Sequence, residues 1–189
     1  LLKTGADVSL YDGNEELDKE ALFEKLYEKK EISLVLGNIT KEDIEKYDLL
    51  VLSPGISVNA PIAQMFYDQE KPVWSEIELA YQASKGKIAA ITGTNGKTTT
   101  TALTGEIMKG YYESSFVVGN IGIPYTSVAL DTQENSVITA EISSFQLETI
   151  VDFKPDVCAV LNITPDHLDR HGTVEVYAKT KESIGKNQT

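Results

Sequence analysis

The run Thr92-Gly93-Thr94-Asn95-Gly96-Lys97-Thr98-Thr99 places two glycines, a lysine and several hydroxyls between an apolar stretch, Lys87-Ile88-Ala89-Ala90-Ile91, and a stretch of helical composition, Lys97 to Lys109. Glycines in that setting let backbone N–H groups close around phosphate oxygens, and the start of the following helix adds a partial positive charge. Lys97 can reach terminal phosphates, and the Thr98 hydroxyl can ligate Mg²⁺. Gly93, Thr94, Asn95, Gly96, Lys97, Thr98 and Thr99 are therefore the candidate nucleotide-binding residues. The strict phosphate-loop pattern asks for a glycine where Ile91 stands, so this is a shortened form, Gly-x-x-Gly-Lys-Thr-Thr. The plain alternative is a threonine-rich turn that caps a helix. Kinases, GTPases and ligases share such loops, so the loop alone names no reaction.

Three further groups could complete a site. Glu141 ends the apolar run Ser136–Glu141 and opens Glu141-Ile142-Ser143-Ser144-Phe145-Gln146-Leu147-Glu148. A carboxylate at the C-terminal end of a parallel strand faces the ligand crevice and could hold a metal with Thr98; otherwise it is an exposed acid. A second apolar run, Val157–Ile163, leads into Thr164-Pro165-Asp166-His167-Leu168-Asp169-Arg170-His171. His167 lies nearer the strand end than His171 and is the better candidate metal ligand; otherwise it is a loop histidine. Lys181, on a predicted helix from Val174 to Ile184, reads locally as a solvated cation.

The elements that must position these residues alternate between strand and helix. The spacing predicts the last turn of a helix before Gly5, strands at Asp7–Asp12, Ser33–Leu36, Asp48–Ser53 and Pro72–Trp74, and helices at Glu15–Lys30 (with Leu17, Leu22 and Leu26 on one face), Lys41–Lys46, Pro61–Gln69 and Glu76–Ser84. A fresh strand-loop-helix unit then begins after Lys85-Gly86, with later strands at Ser136–Glu141 and Val157–Asn162. Such alternation argues for parallel sheets covered on both faces. The expectation is a truncated Rossmann-like domain over residues 1–85, followed by part of a P-loop-type α/β ATPase domain over residues 86–189.

Composition narrows the partners. The chain has 189 residues, 41% apolar, and a formal net charge of −12. Residues 1–85 carry 17 acids against 9 lysines, and residues 86–189 carry 12 acids against 8 basic side chains. Neither half offers a basic stripe, which disfavours nucleic acid as a partner. Cys158 is the single cysteine; it is expected to be a buried structural thiol, and the lack of any possible intrachain disulfide agrees with a reducing cytosol. No apolar run approaches the roughly 20 residues that span a bilayer, and no signal-peptide pattern is present. The expectation is a cytoplasmic, monomeric protein without a membrane partner.

The motifs Gly93–Thr99, Gly119-Asn120-Ile121-Gly122-Ile123-Pro124, Glu141–Glu148 and Asn162-Ile163-Thr164-Pro165-Asp166-His167-Leu168-Asp169 together resemble the Mur ligases, and the resemblance covers essentially the whole chain. The Ser143–Leu147 run resembles most the branch that adds D-glutamate to UDP-N-acetylmuramoyl-L-alanine. The resemblance implies ATP and two Mg²⁺ as cofactors, with both of those molecules as substrates, and an acyl phosphate that the amine of D-glutamate attacks. It implies catalytic roles for Lys97, Asn120, Glu141, His167 and Lys181. Thr98 and Glu141 would hold one metal, and His167 with a carbamylated Lys181 the other; Lys181 is carried over because it follows Tyr177 in a Tyr-x-x-x-Lys pattern.

In the first domain Asp12, Gly13, Ser53, Pro54 and Gly55 match segments that hold the UDP part; read from the residues alone they are strand-end turns. The family's first strand with its glycine loop, and its C-terminal domain, have no counterpart here, so this polypeptide by itself is expected to show no ligase turnover. Other readings are a sister ligase adding a different amino acid, a non-catalytic ATP-binding switch, and a degenerate relative kept for its fold.

Overall fold

The computed structural model describes residues 1–24 and 32–188. Its chain divides into two compact units, Leu1–Asp48 and Leu49–Thr189. The first unit opens with a 3-10 turn, Leu2–Thr4, stopped by Gly5 at φ 84°. Strand β1 (Ser9–Asp12) pairs in parallel with β2 (Ser33–Leu36), with Ser9 opposite Ser33. Helix α1 (Lys19–Glu24) lies between them and α2 (Lys41–Ile44) follows.

The helix expected from Glu15 starts four residues later. The Asp18 carboxylate accepts from the amides of Glu20 and Ala21, an N-cap that outcompetes the helical composition upstream. Leu26 and the rest of residues 25–31 lie outside the described residues. A capping box fixes the start of α2, with Thr40 and Asp43 each accepting from the other's backbone amide.

The second unit begins with β3 (Leu50–Leu52), α3 (Pro61–Asp68), β4 (Val73–Ser75) and α4 (Glu76–Ala83); β3 and β4 form their own parallel pair. It continues with β5 (Lys87–Thr92), α5 (Lys97–Lys109), β6 (Ser115–Gly119), β7 (Val137–Glu141), α6 (Ser144–Leu147), β8 (Val157–Val160), α7 (Leu168–His171) and α8 (Val174–Glu182). The last four strands build one all-parallel sheet in the order β6-β7-β5-β8.

From β5 the chain crosses to β6, returns to β7, then passes to the far side of β5 as β8. That reversal of direction is where open α/β sheets leave a ligand crevice at their carboxyl ends. β7 is buried at all five positions, whereas β8, at the sheet's end, exposes Val157 and Val160. The expected burial of Cys158 is thereby corrected to half-buried: its Sγ lies 3.2 Å from Gln188 Oε1, and burial raises the thiol's pKa. β6, which the sequence reading left unassigned, supplies the other edge.

Ile88, Ala90, Ile138, Ala140 and Val118 from the sheet pack with Ile77 and Ala80 of α4, Tyr125, Leu147, Phe153 and Ile184 in one core. Glu78 is fully buried beside it. Its carboxylate accepts from the amides of Val151, Asp152 and Phe153 at 2.8, 3.0 and 3.0 Å and from Gln82 Nε2 at 2.9 Å. The three amides belong to a turn that lacks strand or helix partners, so the acid replaces the ladder they would otherwise need. Glu78→Ala leaves those donors unpaired, that of Phe153 in the core, and should cost about 3 kcal/mol, with Glu78→Gln costing less; denaturant unfolding of both variants measures the difference.

Candidate active site

The turn from β5 into α5 is held open by the segment that leaves β8. The Thr94 and Asn95 amides donate to the carbonyl and the Oδ1 of Asn162 at 3.0 and 2.9 Å, and Asn162 Nδ2 returns a bond to the Asn95 carbonyl at 2.9 Å. Thr94 Oγ1 accepts from the Thr164 amide at 3.0 Å and lies 3.3 Å from the Tyr177 hydroxyl. Gly93 and Gly96 take φ values of 149° and 82°, which L side chains rarely adopt. A Cβ on Gly93 would also meet Leu161 at 3.1 Å. With Thr94 and Asn95 committed to Asn162, the amides left for an anion are those at the start of the 13-residue helix α5, which have no intrahelical acceptor.

Two ammonium groups converge behind this loop. Lys97 Nζ donates to the carbonyls of Gly93 and Thr94 at 2.9 and 3.0 Å, and Lys181 Nζ donates to the same Gly93 carbonyl at 2.9 Å. Lys181 is only 1% exposed, against the expectation of a solvated cation. It follows Tyr177 by one helical turn, so its Nζ sits 4.7 Å from the centre of that ring. Burial, reinforced by the charge of Lys97, pushes its pKa down to about 8, with Asp166 opposing. A lysine held there is a neutral nucleophile for part of its time near neutral pH.

Glu141 is 2% exposed, which overturns the exposed-acid alternative. Its Oε1 accepts from Asn120 Nδ2 at 3.0 Å, while its Oε2 is buried with no partner among the described residues. Gly119, at φ 102°, lets Asn120 come this close, since a Cβ there would stand 2.1 Å from the Glu141 carbonyl. An orphaned carboxylate oxygen at a parallel strand's C-terminal end is costly unless a cation completes it, so this acid fits a Mg²⁺ ligand. Thr98, the proposed co-ligand, is exposed on the first turn of α5.

His167 is exposed and caps α7 in the left-handed region, φ 50°. Its ring packs 4.9 Å from Phe145 and 6.4 Å from Tyr177, with Asp166 Oδ2 3.5 Å from Nε2. No group of three or more His, Cys, Asp or Glu side chains arranged to hold a metal occurs among the described residues. The structure thus joins Lys97 with Lys181, and Asn120 with Glu141, but no direct contact links His167 to either pair. His171 is the buried histidine: Nε2 lies 3.0 Å from Ser144 Oγ, and burial lowers its pKa despite Glu148.

Sequence reasoning missed Asn162. Its place as the last residue of the expected strand Val157–Asn162 was the available signal, because a strand-end Asn can pair with nearby backbone. Ser53-Pro54-Gly55 forms the turn after β3, closed by the Ile56 amide on the Ser53 carbonyl. Asp12 and Gly13 follow β1 in the other unit, where Asp12 accepts from the Asn14 amide at 2.9 Å.

Comparison with known proteins adds the following. Over its full length the chain is 57% identical to the UDP-N-acetylmuramoylalanine--D-glutamate ligase of Lachnospira eligens and 54% identical to that of Lachnoclostridium phytofermentans. It spans 42% of the length of each. A solved structure, the UDP-N-acetylmuramate:L-alanyl-gamma-D-glutamyl-meso-diaminopimelate ligase from Neisseria meningitides, shares the fold with a TM-score of 0.55 at 15% identity, over 98% of this chain and 61% of that one. No helix among the described residues is long and apolar enough to cross a membrane. The model of the Mur ligase middle domain matches residues 91–189, more than half of the sequence, and the chain therefore belongs to the Mur ligase family.

Proposed function

We propose that the polypeptide carrying this sequence is an ATP-dependent ligase that joins D-glutamate to UDP-N-acetylmuramoyl-L-alanine in peptidoglycan precursor synthesis. The observation that carries this reading is the buried, half-satisfied carboxylate of Glu141 on the strand beside the phosphate-loop strand. A nucleotide-binding switch would use the loop but gives no role to a buried Lys181 drawn to it. The names of the two bacterial relatives supply the amino acid. Residues 86–189 would take ATP. Residues 1–85, with Asp12, Gly13, Ser53, Pro54 and Gly55, would take the nucleotide sugar, and the acid-rich composition and single cysteine suit a cytoplasmic protein.

A carboxylate is a poor electrophile. Transfer of the γ-phosphoryl to one of its oxygens, with ADP leaving, gives an acyl phosphate; the D-glutamate amine then attacks the carbonyl carbon, the C–O bond to phosphate breaks, and the amine loses a proton. Lys97 would leave the Gly93 and Thr94 carbonyls for the terminal phosphates, and Asn120 would orient the transferred group. Thr98 with Glu141, and His167 with Lys181, would hold two Mg²⁺, whose charge lets two anions meet. For Lys181 to serve, its neutral amine attacks CO₂, forming a C–N bond and releasing a proton to water. The side chain then changes from cation to anion, and the repulsion with Lys97 becomes attraction.

An assay of the full-length protein with UDP-N-acetylmuramoyl-L-alanine, ATP, Mg²⁺ and a panel of amino acids tests the assignment: phosphate release should require D-glutamate, and dependence on another amino acid defeats it. Lys97→Ala should lower turnover at least about a hundredfold. The proton leaves Lys181 as pH rises through about 8, so at fixed dissolved ¹³CO₂ the carbamate signal should grow between about pH 7 and pH 8.5. It should vanish in Lys181→Ala.

A further inference from the structure

Arg170 binds three segments that the sequence reading treated separately. Its Nε lies 3.1 Å from both carboxylate oxygens of Glu148, and Nη2 closes a second bond to Glu148 Oε2. Nη1 donates to the Pro54 carbonyl at 3.2 Å and Nη2 to the Ile56 carbonyl at 2.9 Å. The guanidinium carbon stands 4.3 Å from the centre of the Phe145 ring, which in turn packs against His167 and His171. The Arg170 and Glu148 side chains are 14% and 11% exposed. This is not a mobile surface ion pair, and a planar fork of five N–H donors is what so many fixed acceptors require.

We propose that Arg170 is a positioning residue that fixes the loop after β3 relative to His167, and so sets where the nucleotide sugar's carboxylate arrives with respect to the phosphate loop. The inference rests on the reading of Ser53-Pro54-Gly55 as a nucleotide-sugar contact. The two carbonyls it holds flank Gly55, so a shift of the guanidinium moves that loop directly. On the other side, Phe145 and the α7 backbone transmit the position of His167. An acceptor anchored far from its reacting carboxylate loses rate steeply for small errors, about a hundredfold for 1 Å. Nucleotide binding is a separate matter, because the phosphate loop is held by Asn162 and Thr164, and the Arg170 guanidinium bonds to Glu148, Pro54 and Ile56 rather than to the loop.

Lysine at this position keeps the charge but cannot bond a carboxylate and two carbonyls in one plane. In the full-length protein, Arg170→Lys should raise the KM for UDP-N-acetylmuramoyl-L-alanine about tenfold and lower kcat about tenfold. Its affinity for a non-hydrolysable ATP analogue, measured by calorimetry, should stay within about twofold. Glu148→Gln, which keeps the shape and removes the charge that anchors the fork, should move the same two parameters in the same direction by less, and it carries the test alone if Arg170→Lys does not fold. Unchanged KM and kcat in both variants, or an ATP affinity that falls as much as the sugar affinity, overturns the proposal. Wild-type protein that binds ATP but not the nucleotide sugar defeats the reading of the loop itself, and this inference with it.

Discussion

The carbonyl oxygen of Gly93 accepts from two lysines, and this crowding organises the centre of the molecule. Burial first, and then repulsion between two ammonium groups on one oxygen, lowers the pKa of Lys181, while Lys97 sits at the loop where an anion would neutralise it. The arrangement requires a backbone whose carbonyl turns away from the phosphate side, which the left-handed Gly93 permits. It also requires a helix, α8, whose register stacks Lys181 on Tyr177. Change either and the lysine is an ordinary surface cation.

Parallel strand order supplies the rest. Thr92, Gly119, Glu141 and Val160 all end at one edge of the sheet, so groups separated by up to seventy residues of sequence share a rim without any dedicated contact. The core beneath is built from small and branched apolar side chains, with Glu78 taking the place of a missing backbone partner. Rigidity below and glycines above divide the labour: the sheet fixes where side chains start, and Gly93, Gly96 and Gly119 decide how closely the loops approach.

Much of this was legible beforehand. The helix Lys97–Lys109 has the bounds that composition indicated, because a glycine turn precedes it and Gly110 follows. Glu141 was recognisable from its position at the end of an apolar run. The burial of Lys181 was not: nothing local distinguishes a lysine on a polar helix from one driven beneath a loop, and only long-range packing against Thr92 and Gly93 decides it. β6 escaped because Ser115-Phe116-Val117-Val118-Gly119 carries only three apolar residues between a serine and a glycine. The start of α1 was misplaced because Asp18 caps the helix more strongly than Glu15 and Glu16 extend it. Arg170 could not be read at all, since one acceptor, Glu148, lies 22 positions away and the two carbonyls, of Pro54 and Ile56, lie 116 and 114 positions away.

The sheet ends at β8, and along the outer side of Val157–Val160 no strand is paired among the described residues. Peptide groups in such a row accept any extended backbone, whatever its side chains, and two outward valines add an apolar lining. A strand laid along this flank would close the row of peptide groups and cover both valines at once.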